Sequence, residues 1–314
     1  MNQQNLKNLL VKYGLKPNFT FGQNFLVDDV ILEDIVDAAE LSKNDAVLEI
    51  GPGIGNLTKK LCERAGFVLS VEKDPKFFPI LKSIKKDNGN FRFEIADILK
   101  FDFQDFFQNN FGVGRRIHSA ANTSLERGGR SKATSEGENP FDSAKGFSLR
   151  GDYKVVANIP YYITGKILQM LFAAKNKPES ITILTQKEVA QNIVAGPGKL
   201  SVLAISVQIF GSPEIIRVVP ANSFYPAPKV DSAILKIDLP KKPKFQIEDE
   251  KKFFRVVKAC FAGKRKQIHN TLMNNLKLDE DQVADVLAAL KINPAARPQE
   301  FTIEEWISLT EKLF

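Results

Sequence analysis

The sequence predicts an α/β fold built on a parallel sheet, followed by a small all-α domain. Three observations carry that expectation. Between Asp45 and Asp97, short apolar runs alternate with segments of helical spacing, the pattern of consecutive βαβ units. The same alternation resumes from Tyr153 to Gln186. Beyond Phe245, apolar residues keep helical spacing to the end of the chain.

Each element follows in order. DAVLEIG (45–51) is a strand ending in glycine, NLTKKLCERA (56–65) a helix, FVLSVEKD (67–74) a second strand, PKFFPILKSIKK (75–86) a second helix, and FRFEIADI (91–98) a third strand. The pattern then stops. Residues 112–150 hold six of Val, Ile, Leu, Met and Phe in 39 positions, too few to offset the entropy of ordering them, so a disordered insertion is expected. A passive insertion is favoured there over an RNA-binding arm. YKVVANIPY (153–161) and SITILTQ (180–186) read as strands, and GKILQMLFAAK (165–175), KEVAQNIVA (187–195) and LSVLAISVQIF (200–210) as helices. EIIRVVP (214–220) and VDSAILKIDL (230–239) read as an antiparallel pair at the edge of the sheet. KKPKF (241–245) looks like a linker to the helical segments FFRVVKACF, VADVLAAL and TIEEWISLTEKLF. The expected plan is an N-terminal extension (1–20), a main domain (21–240) carrying the insertion, and a helical domain (245–314).

Composition narrows the function. At 314 residues, 43% hydrophobic and 26% charged, the chain is neither wholly disordered nor a disulfide-stapled mini-protein. Cys62 and Cys260 are too far apart for a disulfide framework or a metal-ligand spacing, and read as small buried hydrophobes in a reducing compartment. No run approaches the roughly 18 apolar residues of a membrane span. The first residues lack a signal-peptide core, so a cytoplasmic protein is expected, with no metal. A net charge of +7 suggests a polyanionic partner, and its placement matters more than its size.

Two motifs carry chemistry. Glu49-Ile50-Gly51-Pro52-Gly53-Ile54-Gly55 joins a strand to a helix, where glycines let the chain turn sharply and a ligand approach the backbone. Glu72 ends the second strand, where a carboxylate can accept from both hydroxyls of a ribose; Asp97 ends the third, where an acid can contact an adenine edge. NAD and S-adenosylmethionine both fit this constellation, although Pro52 and the G-x-G-x-G spacing lean away from the dinucleotide fingerprint. The second motif, Asn158-Ile159-Pro160-Tyr161, ends the fourth strand. An exocyclic adenine amine is a poor nucleophile because its lone pair is delocalised. The Asn158 side-chain oxygen, with the carbonyl of Pro160 or of Ile159, would hold both amine hydrogens and aim the lone pair at a methyl group. Tyr161 offers a flat face for the base.

On FGQNFLVD (21–28), LEIGPGIGNLT (48–58), SVEKD (70–74), ADIL (96–99), VVANIPYYIT (155–164), LTQKEVAQNIVA (184–195), FYPAPKVDSAIL (224–235) and FAGKRKQIHNTL (261–272), the chain resembles the ribosomal RNA adenine dimethyltransferase family, its bacterial small-subunit branch in particular. The resemblance implies a Rossmann-like S-adenosylmethionine-dependent methyltransferase sheet. It places the cofactor against Asn24, Leu26, Gly51, Glu72, Asp97 and Asn158, with Glu49, Gly53 and Ile98 lining the same pocket. It implies catalysis by Asn158, Pro160 and Tyr161, with Phe224 closing on the target base opposite Tyr161. The substrate it implies is a pair of adjacent adenines near the 3′ end of small-subunit rRNA in a pre-ribosomal particle, and a monomeric enzyme is expected. The chain departs from the family in the insertion and in the short loop GPGK (196–199), which borders the substrate side.

RNA must be held through phosphates. Residues 241–277 carry eleven Lys and Arg against three acids, a local net of +8. Arg255, Lys258, Lys264, Arg265 and Lys266 are the expected contacts, with 264–266 in a helix start or the turn before it. His118 and His269 form no base constellation, which suits direct methyl transfer with the proton lost to water. The competing readings are a resistance-type methyltransferase of large-subunit rRNA, a non-catalytic RNA-binding assembly factor, and more distantly a NAD-dependent oxidoreductase.

Overall fold

In a computed structural model the protein is described at residues 3–18, 22–103 and 153–314. The expected insertion at 112–150 lies outside the described residues. Among them, seven strands form the main sheet: β2 (Ala46–Ile50), β3 (Phe67–Glu72), β4 (Phe91–Ile95), β5 (Tyr153–Asn158), β6 (Ser180–Gln186), β7 (Ser212–Val219) and β9 (Ser232–Asp238). Their order is β4-β3-β2-β5-β6-β9-β7. The strands from β4 to β6 are parallel, and β9 is antiparallel to both of its neighbours. The expected antiparallel pair is therefore β7 with β9, and the later strand lies inside, between β6 and β7. A dinucleotide-binding sheet of the usual 3-2-1-4-5-6 order has no such inserted antiparallel strand. A separate two-stranded pair joins β1 (Phe25–Leu26) to β8 (Phe224–Tyr225).

Helices cover both faces, which is why the central strands read as unbroken apolar runs. Side chains alternate with the period of two. Val47, Val68 and Val156 pack under α2 (Asp29–Ala38), α3 (Asn56–Arg64) and α4 (Phe78–Asp87). Leu48, Leu69 and Val155 pack under α5 (Thr164–Ala173) and α6 (Lys187–Ile193). Local capping fixes the helix starts: Asp28 accepts from the backbone N–H of Val30 and Ile31 at the head of α2. Pro79 sits in the first turn of α4, where a missing N–H costs nothing.

Two helices were not expected from the sequence. One is α2; the other is α1 (Gln3–Lys12), in the segment read as an extension. Leu6 and Leu10 of α1 are buried in the core above α2 and α3, and burying one such leucine contributes about 1.5–3 kcal/mol. That core lies far away in sequence, so the ten residues of α1 carry little local sign of it.

A third core lies beyond the sheet. Phe253, Val257, Leu272, Val283 and Trp306 come from α8 (Glu250–Phe261), α9 (Ile268–Leu276), α10 (Glu280–Ala289) and α11 (Ile303–Leu313). Ala204 and Ile205 of α7 (Val202–Gln208) pack into the same core, so the helical unit grips the main domain through α7. The short 196–199 loop is tied to that unit as well, Gly198 N–H donating to the Gln299 carbonyl at 2.7 Å. Both cysteines are buried and free, and burial pushes each thiol up to about 12, which keeps them un-ionised. Among the described residues, no helix is long and apolar enough to cross a membrane.

Candidate active site

The topology itself makes the crevice. From β2 the chain moves outward through β3 and β4, then returns to place β5 on the other side of β2. Ligands in open α/β sheets bind at the carboxyl ends of strands at such a reversal. Gly51 directly follows β2 and Asn158 ends β5, so the two motifs flank this point.

Two of the glycines differ in their surroundings. Gly51 is left-handed at φ 71°, and a Cβ there would have nothing nearer than the Asn158 carbonyl oxygen at 3.9 Å. Its open side belongs to the cavity. Gly55 is left-handed at φ 76°, and a Cβ there would stand 2.1 Å from the δ-methyl of Ile84. Both positions favour glycine for their left-handed φ; Gly55 is in addition crowded by Ile84 of α4, whereas Gly51 leaves open space on the cavity side.

One cavity is lined by Asn24, Leu26, Glu49, Gly51, Gly53, Glu72, Asp97, Ile98, Asn158, Pro160 and Tyr161. The three acids differ in electrostatics. Glu49 is buried; its Oε2 accepts from the hydroxyls of Thr58, at 2.7 Å, and Ser70, while its Oε1 meets no donor. Burial pushes its carboxyl up to about 7 against those two bonds, and nearby Glu72 pushes the same way. Burial also raises Glu72, opposed by the N–H groups of Asp74 at 2.8 Å and Gly53 at 2.9 Å. Glu72 therefore braces the glycine loop as well as facing the cavity, and each of its oxygens keeps a lone pair for a ligand. Asp97 lies lower than an ordinary carboxylate because Lys73 bonds to it at 2.9 Å.

At the other wall, Asn158 donates from Nδ2 to the Asn24 carbonyl at 3.4 Å. That leaves Oδ1 as the accepting half of the amide. The Pro160 carbonyl takes the Ile163 N–H at 3.2 Å and retains its second lone pair. The Tyr161 hydroxyl is bonded to Ser232 Oγ of β9 at 2.6 Å, which fixes its ring.

Phe224 is the exception. Its ring is fully buried in the core, and its backbone pairs with Leu26 in the β1–β8 ladder. It does not line the cavity in this structure, where the apolar packing that orders β8 holds the ring outside the cleft. Sequence reasoning also passed over Asn56, whose Nδ2 holds the Leu26 carbonyl at 3.1 Å, and the cavity-lining Lys73 and Tyr162. Lys73 and Tyr162 directly follow named motif residues, and that adjacency was the available signal.

Arg255, Lys258, Lys264, Arg265 and Lys266 are all exposed, and none forms an ion pair among the described residues. The 264–266 segment is the turn between α8 and α9. Arg255 lies 5.7 Å from the Phe314 ring, a cation–π contact that leaves its charge available at the surface. No group of three or more His, Cys, Asp and Glu gathers as a metal site among the described residues.

Comparisons with known proteins find similar sequences and similar folds. A family model described as ribosomal RNA adenine dimethylase matches residues 14–313. Over 312 residues the chain is 36% identical to ribosomal RNA small subunit methyltransferase A of Clostridium botulinum (strain Langeland), covering 99% of this chain and 98% of that one. The protein of the same name from Dehalococcoides mccartyi is 35% identical over 303 residues, 96% of this chain and 90% of that one. Among solved structures, the 23S rRNA methyltransferase ErmE shares 26% identity at a TM-score of 0.62, covering 92% of this chain and 99% of that one. A dimethyladenosine transferase from Plasmodium falciparum shares the fold at a TM-score of 0.66 and 23% identity, covering 91% of this chain and 95% of that one.

Proposed function

This chain belongs to the ribosomal RNA adenine dimethylase family, and from that premise we propose that it uses S-adenosylmethionine to dimethylate the N6 amines of two adjacent adenines near the 3′ end of small-subunit rRNA, in a pre-ribosomal particle. The observation that carries this reading is a single cavity between Gly51 and Asn158 holding a buried carboxylate oxygen without a partner, Glu49 Oε1. An ammonium group is what such an atom calls for, and the cofactor's amino-acid end provides one. Glu72 has free lone pairs that would accept from ribose hydroxyls, and Asp97 would meet an adenine edge. Glu49, Gly51, Gly53, Glu72, Asp97, Ile98, Leu26 and Asn24 would hold the cofactor.

When bound, the cofactor supplies an already activated sulfonium methyl. The chain's own groups then position and polarise. Asn158 Oδ1 accepts one amine hydrogen, and the carbonyl of Pro160 or Ile159 accepts the other. The nitrogen lone pair is thereby withdrawn from the ring and directed at the methyl. Tyr161, fixed through Ser232, presents its ring to the flipped base. Arg255, Lys258 and the 264–266 turn take phosphates. We further propose that it acts as a monomer in the cytoplasm.

The test is direct. The protein is incubated with labelled S-adenosylmethionine and small-subunit particles lacking the dimethylated adenines, and the label is mapped after digestion. Label is expected on adjacent adenines of the small-subunit RNA. Label on large-subunit RNA alone favours the resistance-type reading, and no label defeats the proposal. Asn158→Ala is expected to fold and lose transfer.

A further inference from the structure

The aromatic residues lining the cleft are Phe25, Phe77, Tyr161 and Tyr162, and the two phenylalanines are buried. The exposed aromatic in it is Tyr162. Its side chain lines the same cavity as Gly51 and Asn158, yet the residue is 61% exposed. Its ring is backed by Gly22, where an added Cβ would lie 3.6 Å from Tyr162 Cε1 and 3.7 Å from Cδ1. Among the described residues its hydroxyl makes no hydrogen bond, so the side chain is held as a ring and not by a polar anchor.

Tyr161 and Tyr162 stand in one 3₁₀ turn, Tyr161–Ile163. With three residues per turn, consecutive side chains point about 120° apart and cannot serve one base together. Tyr161 is turned toward β9 by its bond to Ser232. Tyr162 therefore points away from Tyr161, at the exposed mouth of the cavity. Extruding an adenine leaves its neighbours without a stacking partner, and an exposed ring at the mouth of the site compensates for that loss.

We propose that Tyr162 is a substrate-positioning residue whose ring stacks on the nucleotide flanking the target adenine. This rests on the RNA-methylation reading above. The chemistry recognised is the flat face of a base in an unpaired strand, irrespective of its hydrogen-bonding edge.

The experiment compares wild type, Tyr162→Ala and Tyr162→Phe on small-subunit particles, with S-adenosylhomocysteine binding and thermal melting measured alongside. Tyr162→Ala should raise KM for the particle about fivefold to about 150-fold, the range that corresponds to about 1–3 kcal/mol of base stacking. Its kcat, S-adenosylhomocysteine affinity and melting temperature should change little, and Tyr162→Phe should behave as wild type. An unchanged KM in Tyr162→Ala overturns the inference. So does a loss of S-adenosylhomocysteine affinity, which would make Tyr162 a cofactor wall, and so does a Phe variant as impaired as the Ala variant. If wild type itself labels no small-subunit RNA, the proposed function fails and takes this inference with it, a result distinct from a variant-specific one.

Discussion

Glu49 makes the sharpest quantitative demand. Its carboxyl is raised from 4.5 to about 7, chiefly by burial. In the native protein it is protonated over a range where the unfolded chain has already ionised. Between those two values the unfolded state binds fewer protons, so stability falls as pH rises. The contribution is fully present below about pH 4.5 and lost by about pH 7, close to 3 kcal/mol in total. An ammonium ligand reverses the preference, because ionised Glu49 is its partner. A ligand that requires the ionised form should bind about eightfold more tightly at pH 7.5 than at pH 6, following the ionised fraction of a group with a pKa near 7. Glu72 is also raised by burial, so the measurement must be a difference against Glu49→Gln. Urea denaturation from pH 5 to 8 should show wild type losing about 2–3 kcal/mol relative to that variant. Titration calorimetry with S-adenosylhomocysteine should show the affinity rise in wild type and a flatter profile in the variant. Equal slopes in the two proteins, in either measurement, refute the reasoning.

Three further perturbations separate roles that the sequence shows side by side. Gly51→Ala should cost about 1–2 kcal/mol for its left-handed φ and lose S-adenosylhomocysteine affinity, whereas Gly55→Ala should add about 1–3 kcal/mol of overpacking against Ile84. Denaturation midpoints and calorimetry together check that contrast, and equal stability losses would defeat it. Phe224→Ala should cost about 3–5 kcal/mol as a core truncation while the folded fraction keeps its kcat. A stable variant without turnover would return that ring to the base. Changing Lys264, Arg265 and Lys266 together to Gln should flatten the plot of log affinity for RNA against log salt by up to about two units. An unchanged slope would remove the turn from the interface.

What could be read from the sequence depended on the range of the physics involved. The strand Ser180–Gln186 is written in its own residues, a β-branched run that both faces of the sheet bury. The helix expected at 75–86 begins as a 3₁₀ turn, because Asp74 caps Lys76 and Pro75 opens the element. That detail is local and was still invisible to periodicity. The helices α1 and α2 escaped notice because their stripes are short and packed against a distant sheet. The placement of Phe224 was illegible for the same reason. It is set by a two-residue pairing with Phe25 and Leu26, some 200 positions earlier in the chain.

The site followed the same division. Residues at strand ends were legible, since position in a βα unit fixes which way they face. Their charge states and orientations were not, because each depends on other elements. Glu49 is raised chiefly by the burial that the packed sheet imposes, Asp97 is lowered by Lys73, and the neutral Asn158 amide is oriented by Asn24. This bears on a conflict present in the sequence itself. A polyanionic substrate must bring an adenine to a cleft bearing Glu49, Glu72 and Asp97. Burial holds Glu49 and Glu72 toward their neutral forms, and Lys73 offsets Asp97. The cleft therefore repels phosphate far less than three free carboxylates would. The exposed cations at 255–266 can then supply attraction from outside the cavity, without setting a competing positive charge beside the site proposed for the cofactor.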